Sequence, residues 1–120
     1  MSTIMMLKIG AAIGNIIFGI VTLAFPKRIA EATALNADTP EAKSEIRTTW
    51  GGLFIGLGVA VIFLGSDDAY FVFGIAYAIA ALVRAITWVF DRAIINRMTL
   101  FIIATEIIFA VIFALPTAQA

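Results

Sequence analysis

Four long apolar segments follow one another along the chain, separated by shorter polar stretches. They predict helices at about residues 5–25, 40–64, 69–90 and 98–115, with a polar cytoplasmic loop over residues 26–39. Each segment approaches the roughly 20 apolar residues that cross a bilayer as a helix. The pattern predicts one all-α domain over residues 1–120, an integral membrane four-helix bundle that is antiparallel in up-down-up-down order.

Proline, threonine and glycine positions predict where these helices end. Pro26 stops the first helix, and Thr39 followed by Pro40 is typical of an N-cap with proline at the first helical position. The sequence from Gly65 to Asp68 predicts a tight turn, so the helices on either side of it should be antiparallel neighbours. Within the first polar loop, residues 29–35 fit either a short amphipathic helix on the membrane surface or a solvated loop.

Two ionisable residues fall inside the third and fourth apolar segments. Arg84 lies about 9 Å, and Glu106 about 12 Å, from the same predicted membrane face, at a rise of about 1.5 Å per residue. A charge at membrane depth is costly unless it is paired, so we expect these two side chains to meet. The pair either forms a functional polar site or acts only as a structural clasp.

Six further residues are candidates to line a polar pocket around this pair. Tyr77 and Trp88 share the helical face of Arg84, Asn15 lies in the first helix, and the remaining three, Arg47, Trp50 and Gly52, lie at the head of the second helix. Four of the six have a simpler interpretation: interhelical hydrogen bonding for Asn15, an interfacial aromatic belt for Trp50 and Trp88, and close helix packing for Gly52.

Composition narrows the possible chemistry. The 120 residues are 62% hydrophobic and 13% charged, against about 25% charged in soluble domains. The formal net charge is zero, which argues against a nucleic-acid partner. With no cysteine and no histidine, the usual zinc, haem and thiol chemistries are excluded, so no metal site and no cofactor are predicted.

The distribution of cations predicts the orientation. The first and third loops and their flanks carry six basic residues: Lys27, Arg28, Lys43, Arg47, Arg92 and Arg97. The opposite side has only Lys8, which we expect to extend towards the membrane interface. The positive-inside rule then places both termini on the periplasmic or outer side of a bacterial inner (plasma) membrane.

One run of residues is shared with a known group of proteins. Residues 45–53, EIRTTWGGL, are followed by Gly56 and Gly58, then by Arg84 with Asp91 in the third helix and by Glu106 in the fourth. This arrangement resembles the bacterial four-helix membrane proteins grouped as domain of unknown function 4345. The resemblance spans nearly the whole chain and implies a compact four-helix fold, while it implies no activity.

Three classes of function remain for such a chain. The first is a non-enzymatic binding or accessory protein whose Arg84–Glu106 site holds an amphiphile such as a lipid, quinone or isoprenoid. The second is a structural subunit that packs against other membrane subunits or against a second copy. The third is a dimeric small transporter, although the small multidrug exporters carry their essential glutamate in helix one, where this chain has Asn15. An enzyme is not expected, because few buried groups are suited to acid–base chemistry.

Overall fold

The structure is a computed structural model that describes residues 2–117, and within that range it is entirely helical, without a strand. Six α-helices and one π-helical segment follow in chain order: α1 (Thr3–Ala24), α2 (Pro26–Ala32), α3 (Pro40–Ile46), the π-segment (Arg47–Leu53), α4 (Phe54–Leu64), α5 (Asp67–Phe90) and α6 (Arg97–Ala114). Since α3, the π-segment and α4 are continuous, they form one helix over Pro40–Leu64.

Four of these helices are long and apolar enough to cross a membrane. They are α1 with 22 residues, Pro40–Leu64 with 25, α5 with 24 and α6 with 18. A bilayer span requires about 17 to 25 predominantly apolar residues. The chain is therefore a small all-α membrane protein with four candidate spans.

The helix ends follow the capping chemistry of the sequence. The Thr39 side chain accepts a hydrogen bond from the Ala42 backbone N–H, with Pro40 in the first turn, as predicted. Ser66 caps α5 in the same way, so this helix begins at Asp67 and not near residue 69. Gly65 has φ of 67°, a left-handed conformation that glycine adopts without a steric penalty and that allows the turn to be tight.

The polar stretch after α1 contains a short helix, α2, whereas the sequence predicts a polar loop over residues 26–39. Pro26 begins α2 directly, and the helix ends at Ala32, so it starts and ends three residues before the short helix considered for residues 29–35. Ala30 of α2 packs with Ala37 and Ile46 in a small buried cluster, with Ala42 and Trp50 against it. This apolar contact supplies the packing that a seven-residue helix needs, because such short helices are marginal alone.

The chain forms two compact units, of which the first comprises Met1–Ala11 and Gly65–Ala120. In this unit α5 and α6 run antiparallel, since Tyr70 stacks near Phe113 and Tyr77 near Phe109. They approach closely at Gly74, where a Cβ would lie 3.2 Å from the carbonyl oxygen of Ala110. The aromatic rings and the small residue together fix the register of the two helices.

The second unit is Ala12–Leu64, in which most of α1 packs antiparallel to the helix Pro40–Leu64. A Cβ at Gly19 would lie 2.7 Å from the carbonyl oxygen of Gly51, and one at Gly58 would lie 2.9 Å from that of Ala12. Backbone therefore meets backbone at both crossings, as small residues permit in membrane helices. Gly56 faces open space, so only part of the glycine-rich stretch serves close packing.

Burial in this protein is inverted relative to a soluble domain. Large apolar side chains such as Phe63, Val89 and Phe90 are exposed, at 87%, 72% and 79%. The buried side chains include small and polar residues such as Ala12 and Asn15 as well as the aromatic Tyr70 and Phe113. An outward apolar surface around polar and small buried residues is the arrangement that lipid as solvent favours.

Candidate functional site

The α5–α6 pair contains an ion pair between two helices that are candidate membrane spans. Arg84 donates from Nε to Oε1 of Glu106 at 2.8 Å and from Nη2 to Oε2 at 2.9 Å. The contact that the sequence predicts is thus present, and it has the parallel two-bond geometry of strong arginine–carboxylate pairs. Each charge neutralises the other, which lowers the free-energy cost of holding either among apolar helices.

The pair has a closed side and an open side. The Glu106 side chain is 11% exposed, whereas the Arg84 side chain is 33% exposed. A guanidinium has five N–H donors, and Glu106 takes two of them. The other three, on Nη1 and Nη2, have no acceptor among residues 2–117. They form a fixed set of donors on the open side of the pair.

Aromatic rings occupy the same helix–helix seam as the ion pair. Tyr77 lies edge-on to Phe109 with ring centroids 5.3 Å apart, and Phe73 stacks on Phe113 at 4.7 Å. Tyr77 is two turns before Arg84 on α5, and Phe109 is three residues after Glu106 on α6. The ion pair therefore adjoins a rigid aromatic surface within the first unit.

The other predicted site residue of α5 lies one turn beyond the pair. Trp88 is four residues after Arg84 and is half-buried. Residues four apart share a helix face, so its indole lies on the side of α5 that carries Arg84. The structure thus groups four of the predicted residues, Tyr77, Arg84, Trp88 and Glu106, in the first unit.

The remaining predicted site residues belong to the second unit. Asn15 is 1% exposed in α1, and Trp50 is half-buried against the Ala30, Ala37 and Ile46 cluster. Arg47 donates from Nε to the carbonyl oxygen of Leu23 at 3.0 Å. It thereby supplies a donor and a positive charge at the C-terminal end of α1, where the helix dipole favours a cation.

Arg47 and Gly52 border an open groove in the second unit. Its volume is about 640 Å³, and its lining residues are Leu23, Arg47, Thr48, Thr49, Gly52 and Leu53. Five of these six residues lie in the π-segment, which spans the sequence RTTWGGL. A π-helical stretch is rare and is often found at functional sites. Sequence reasoning singled out this run for its glycines but did not predict its π-helical form.

A second buried charge lies in the same unit. The Lys8 side chain, which the sequence predicts to extend towards the membrane interface, is 1% exposed, and its Nζ lies 3.0 Å from Oδ1 of Asp67, the first residue of α5. It also lies 5.6 Å from the ring centroid of Tyr70. Asp67 and Tyr70 in the first turn of α5 thus offer the ammonium a carboxylate and an aromatic face, which replace water.

The same carboxylate also accepts hydrogen bonds from Thr117, which follows α6. Thr117 donates to Asp67 from its backbone N–H at 2.8 Å and also from its hydroxyl. Asp67 therefore joins α1, α5 and the residues after α6 through one side chain. A sequence signal existed in the acidic pair Asp67 and Asp68, although it indicated only a turn.

Comparison with known proteins assigns a family to this chain. A family model described as domain of unknown function (DUF4345) matches residues 4–116. The chain belongs to this family. No curated protein and no solved structure matches the chain.

The domain of unknown function 4345 match covers both units and all the candidate residues above. The run at the head of the second long helix coincides with the π-segment, and the charges of the third and fourth long helices form the ion pair. In the part of the chain that the structure describes, no three His, Cys, Asp or Glu residues lie close enough together to hold a metal ion.

Proposed function

We propose that this member of the domain of unknown function 4345 family is a small non-enzymatic binding or accessory protein of the membrane. Its Arg84–Glu106 pair would hold the polar head of an amphiphilic molecule while the helices remain in the bilayer. The observation that carries the proposal is the open side of the pair, where a guanidinium fixed by two hydrogen bonds keeps three unused donors. An N–H donor without an acceptor in an apolar environment costs free energy, so a ligand that supplies acceptors would be bound favourably there.

The chemistry of the pair narrows the ligand. Glu106 already neutralises the charge of Arg84, so a head group with carbonyl, hydroxyl or ester oxygens satisfies the donors without adding a net charge. The neighbouring Tyr77 and Phe109 rings, which meet edge to face, offer an apolar surface for a ring or an acyl chain. A lipid, a quinone or an isoprenoid combines these properties.

The same contacts argue for binding in place of catalysis. Arginine does not give up its proton in proteins, and Glu106 accepts two hydrogen bonds from it. Neither group is poised as a general acid or base. We therefore propose that the protein is not an enzyme and needs no cofactor.

The proposed location is the inner (plasma) membrane of a bacterium. The bias of lysine and arginine towards the first and third loops supports an orientation with both termini on the outer side. The four candidate spans would then form an antiparallel bundle in up-down-up-down order.

A second candidate function is that of a structural subunit in a membrane complex or a homo-oligomer. It is favoured by the same bidentate geometry, since Arg84 and Glu106 satisfy each other's strongest hydrogen bonds without any ligand. In that case the pair would be a clasp between α5 and α6, and the function would lie on the exposed apolar faces.

A paired substitution separates the two candidates. Replacing one partner leaves an uncompensated charge and can unfold the protein, whereas replacing both by apolar residues is often neutral. The test compares wild type with the double variant Arg84→Leu, Glu106→Leu and with the control Arg92→Ala, an exposed residue of the loop between α5 and α6. Each protein is extracted gently from its native membrane and examined by native mass spectrometry for bound small molecules and foreign subunits.

The binding proposal expects one small molecule per wild-type chain, retained by Arg92→Ala and lost from the double variant while its melting temperature stays within a few degrees. A wild-type chain that carries no small molecule but leaves the membrane with foreign subunits would overturn the binding proposal and support the subunit role. A double variant that retains the small molecule would also overturn it.

A further inference from the structure

The groove beside the π-segment combines an apolar lining with a set of free polar donors. Leu23 and Leu53 line it with exposed side chains, and Gly52 leaves its wall open, since a Cβ there would meet no atom closer than 3.9 Å. Its volume of about 640 Å³ is within the usual range of small-molecule sites, about 300–1,000 Å³. The groove is therefore large enough for part of an acyl chain.

Arg47 places an uncompensated positive charge on this groove. Its Nε is bound to the carbonyl oxygen of Leu23, which holds the guanidinium in place. The four N–H donors of Nη1 and Nη2 meet no acceptor in residues 2–117, and no carboxylate there pairs with Arg47. This differs from Arg84 and Lys8, each of which has a carboxylate partner. The free edge of the guanidinium fits an anion with two oxygens, such as a phosphate.

Two hydroxyls of the π-segment add to these donors. Thr22 and Thr105 in α-helices donate their hydroxyls to the carbonyl four residues earlier. Thr48 and Thr49 are exposed on the groove, and their hydroxyls make no such bond in the described chain. Both hydroxyls are thus available for a ligand, unlike those of Thr22 and Thr105, which are bonded within their own helices.

The position of Arg47 along its helix indicates which anion is present there. Arg47 directly precedes the apolar stretch of residues 48–64, so it lies at the level of the lipid head groups when that stretch spans the membrane. The abundant anions at this level are lipid phosphates. No acidic residue lines the groove, so it offers nothing to the cationic part of a zwitterionic head group.

We infer that this groove is a binding site for one acidic phospholipid. The phosphate diester accepts hydrogen bonds from the Arg47 guanidinium and from the Thr48 and Thr49 hydroxyls, and an acyl chain lies along Leu23 and Leu53 beside Gly52. This site is independent of the Arg84–Glu106 site, since all its residues belong to Ala12–Leu64.

The chain offers a matched pair of variants for testing this site. Gly52→Leu fills the groove, and its Cβ has room, so helix packing is preserved. Gly56→Leu makes the same chemical change four residues later in α4, where a Cβ also meets open space. Arg47→Gln removes the charge, but it also alters the cap of α1; Gly52→Leu therefore keeps the test independent of that cap.

The experiment measures which lipid each protein retains. Full-length protein is reconstituted in nanodiscs containing equal amounts of dioleoylphosphatidylglycerol and dioleoylphosphatidylcholine, and retained lipids are counted by native mass spectrometry. Wild type, Gly56→Leu and the double variant Arg84→Leu, Glu106→Leu should each retain one phosphatidylglycerol in preference to phosphatidylcholine. Gly52→Leu and Arg47→Gln should lose about tenfold or more of this preference.

Two results would overturn the inference. One is equal retention of phosphatidylglycerol by Gly52→Leu and Gly56→Leu, which would place any bound lipid outside the groove. The other is a loss of phosphatidylglycerol only in the Arg84→Leu, Glu106→Leu variant. Since that variant tests the first site and Gly52→Leu tests the second, failure of one proposal is distinguishable from failure of the other.

Discussion

Lys8 and Arg84 both lie inside long apolar helices, and each is paired with a carboxylate from another helix. The two pairs differ in which partner is exposed. In the first pair the cation Lys8 is 1% exposed and the carboxylate Asp67 is 32% exposed, and Asp67 also accepts hydrogen bonds from Thr117. In the second pair the carboxylate Glu106 is 11% exposed and the cation Arg84 is 33% exposed, with three unused N–H donors. Only the second pair therefore presents unpaired donors on its exposed side.

We expect Lys8→Met to destabilise the protein. The substitution keeps the length of the side chain but leaves the Asp67 carboxylate without its cation beside Tyr70. The melting temperature in mild detergent, followed by circular dichroism, should fall by about 5 °C or more. The control is Lys27→Met, because Lys27 forms an exposed 3.4 Å pair with Asp38, and exposed pairs contribute little.

The double variant Lys8→Met, Asp67→Asn should recover part of the lost stability, because it removes both charges together. The amide oxygen can still accept the hydrogen bond from the Thr117 backbone N–H, while the amide NH2 can donate to the Thr117 hydroxyl. Equal, small effects of Lys8→Met and Lys27→Met would contradict a structural role for the Lys8–Asp67 pair.

At the scale of elements, glycine decides how closely two helices approach. The helix Pro40–Leu64 contains Gly51, Gly52, Gly56 and Gly58, which the sequence presents as one glycine-rich stretch. Gly51 and Gly58 contact α1, while Gly52 and Gly56 have open space beside their Cα atoms. The stretch thus has a packing side and an open side, and the groove is beside one of the open glycines.

Substituting alanine on the two sides should have opposite effects. In Gly58→Ala the new Cβ would lie 2.9 Å from the Ala12 carbonyl oxygen, so the helices must separate, at a cost of about 1–3 kcal/mol. In Gly56→Ala the methyl group meets nothing within 4 Å, and alanine is the better helix former by up to about 1 kcal/mol.

Thermal unfolding in detergent distinguishes the two substitutions, with a lower midpoint for Gly58→Ala and an unchanged or higher one for Gly56→Ala. A lower midpoint for Gly56→Ala alone would show that α1 packs on a different face of the helix.

At the scale of the whole molecule, four apolar helices and the bias of the loop cations predict a defined topology in the membrane. The short Gly65-Ser66 link and the loop over residues 91–96 would lie on opposite sides of the bilayer. The positive-inside rule assigns the latter, with Arg92 beside it, to the cytoplasm.

Single cysteines test this topology without background labelling, because the natural chain has no cysteine. Asp68→Cys should react with a membrane-impermeant maleimide in intact spheroplasts, whereas Ala93→Cys should react only after lysis. Acidic residues contribute little to orientation, and Ala93 is uncharged, so neither change disturbs the cation bias. Labelling of Ala93→Cys alone in intact spheroplasts would indicate the reverse orientation.

The sequence by itself determined the four long helices of this protein. Four apolar stretches of bilayer length, Pro26 at the end of α1, the Thr39 cap and Pro40 predict helix bounds to within a few residues, because hydropathy and capping are local properties. It also predicted the Arg84–Glu106 contact, since similar depth and opposite charge leave few alternatives in an apolar environment.

Only the tertiary structure decided which partners the polar side chains of these helices contact. The pairing of Lys8 with Asp67 and the Tyr70 ring was not predicted, because it depends on residues about 60 positions away in the sequence. The π-segment and the division of the glycines into packed and open positions depend equally on which neighbour each helix meets. The depth of a residue in the membrane follows from the sequence of its own helix. Which residue its side chain contacts depends on how several helices pack together.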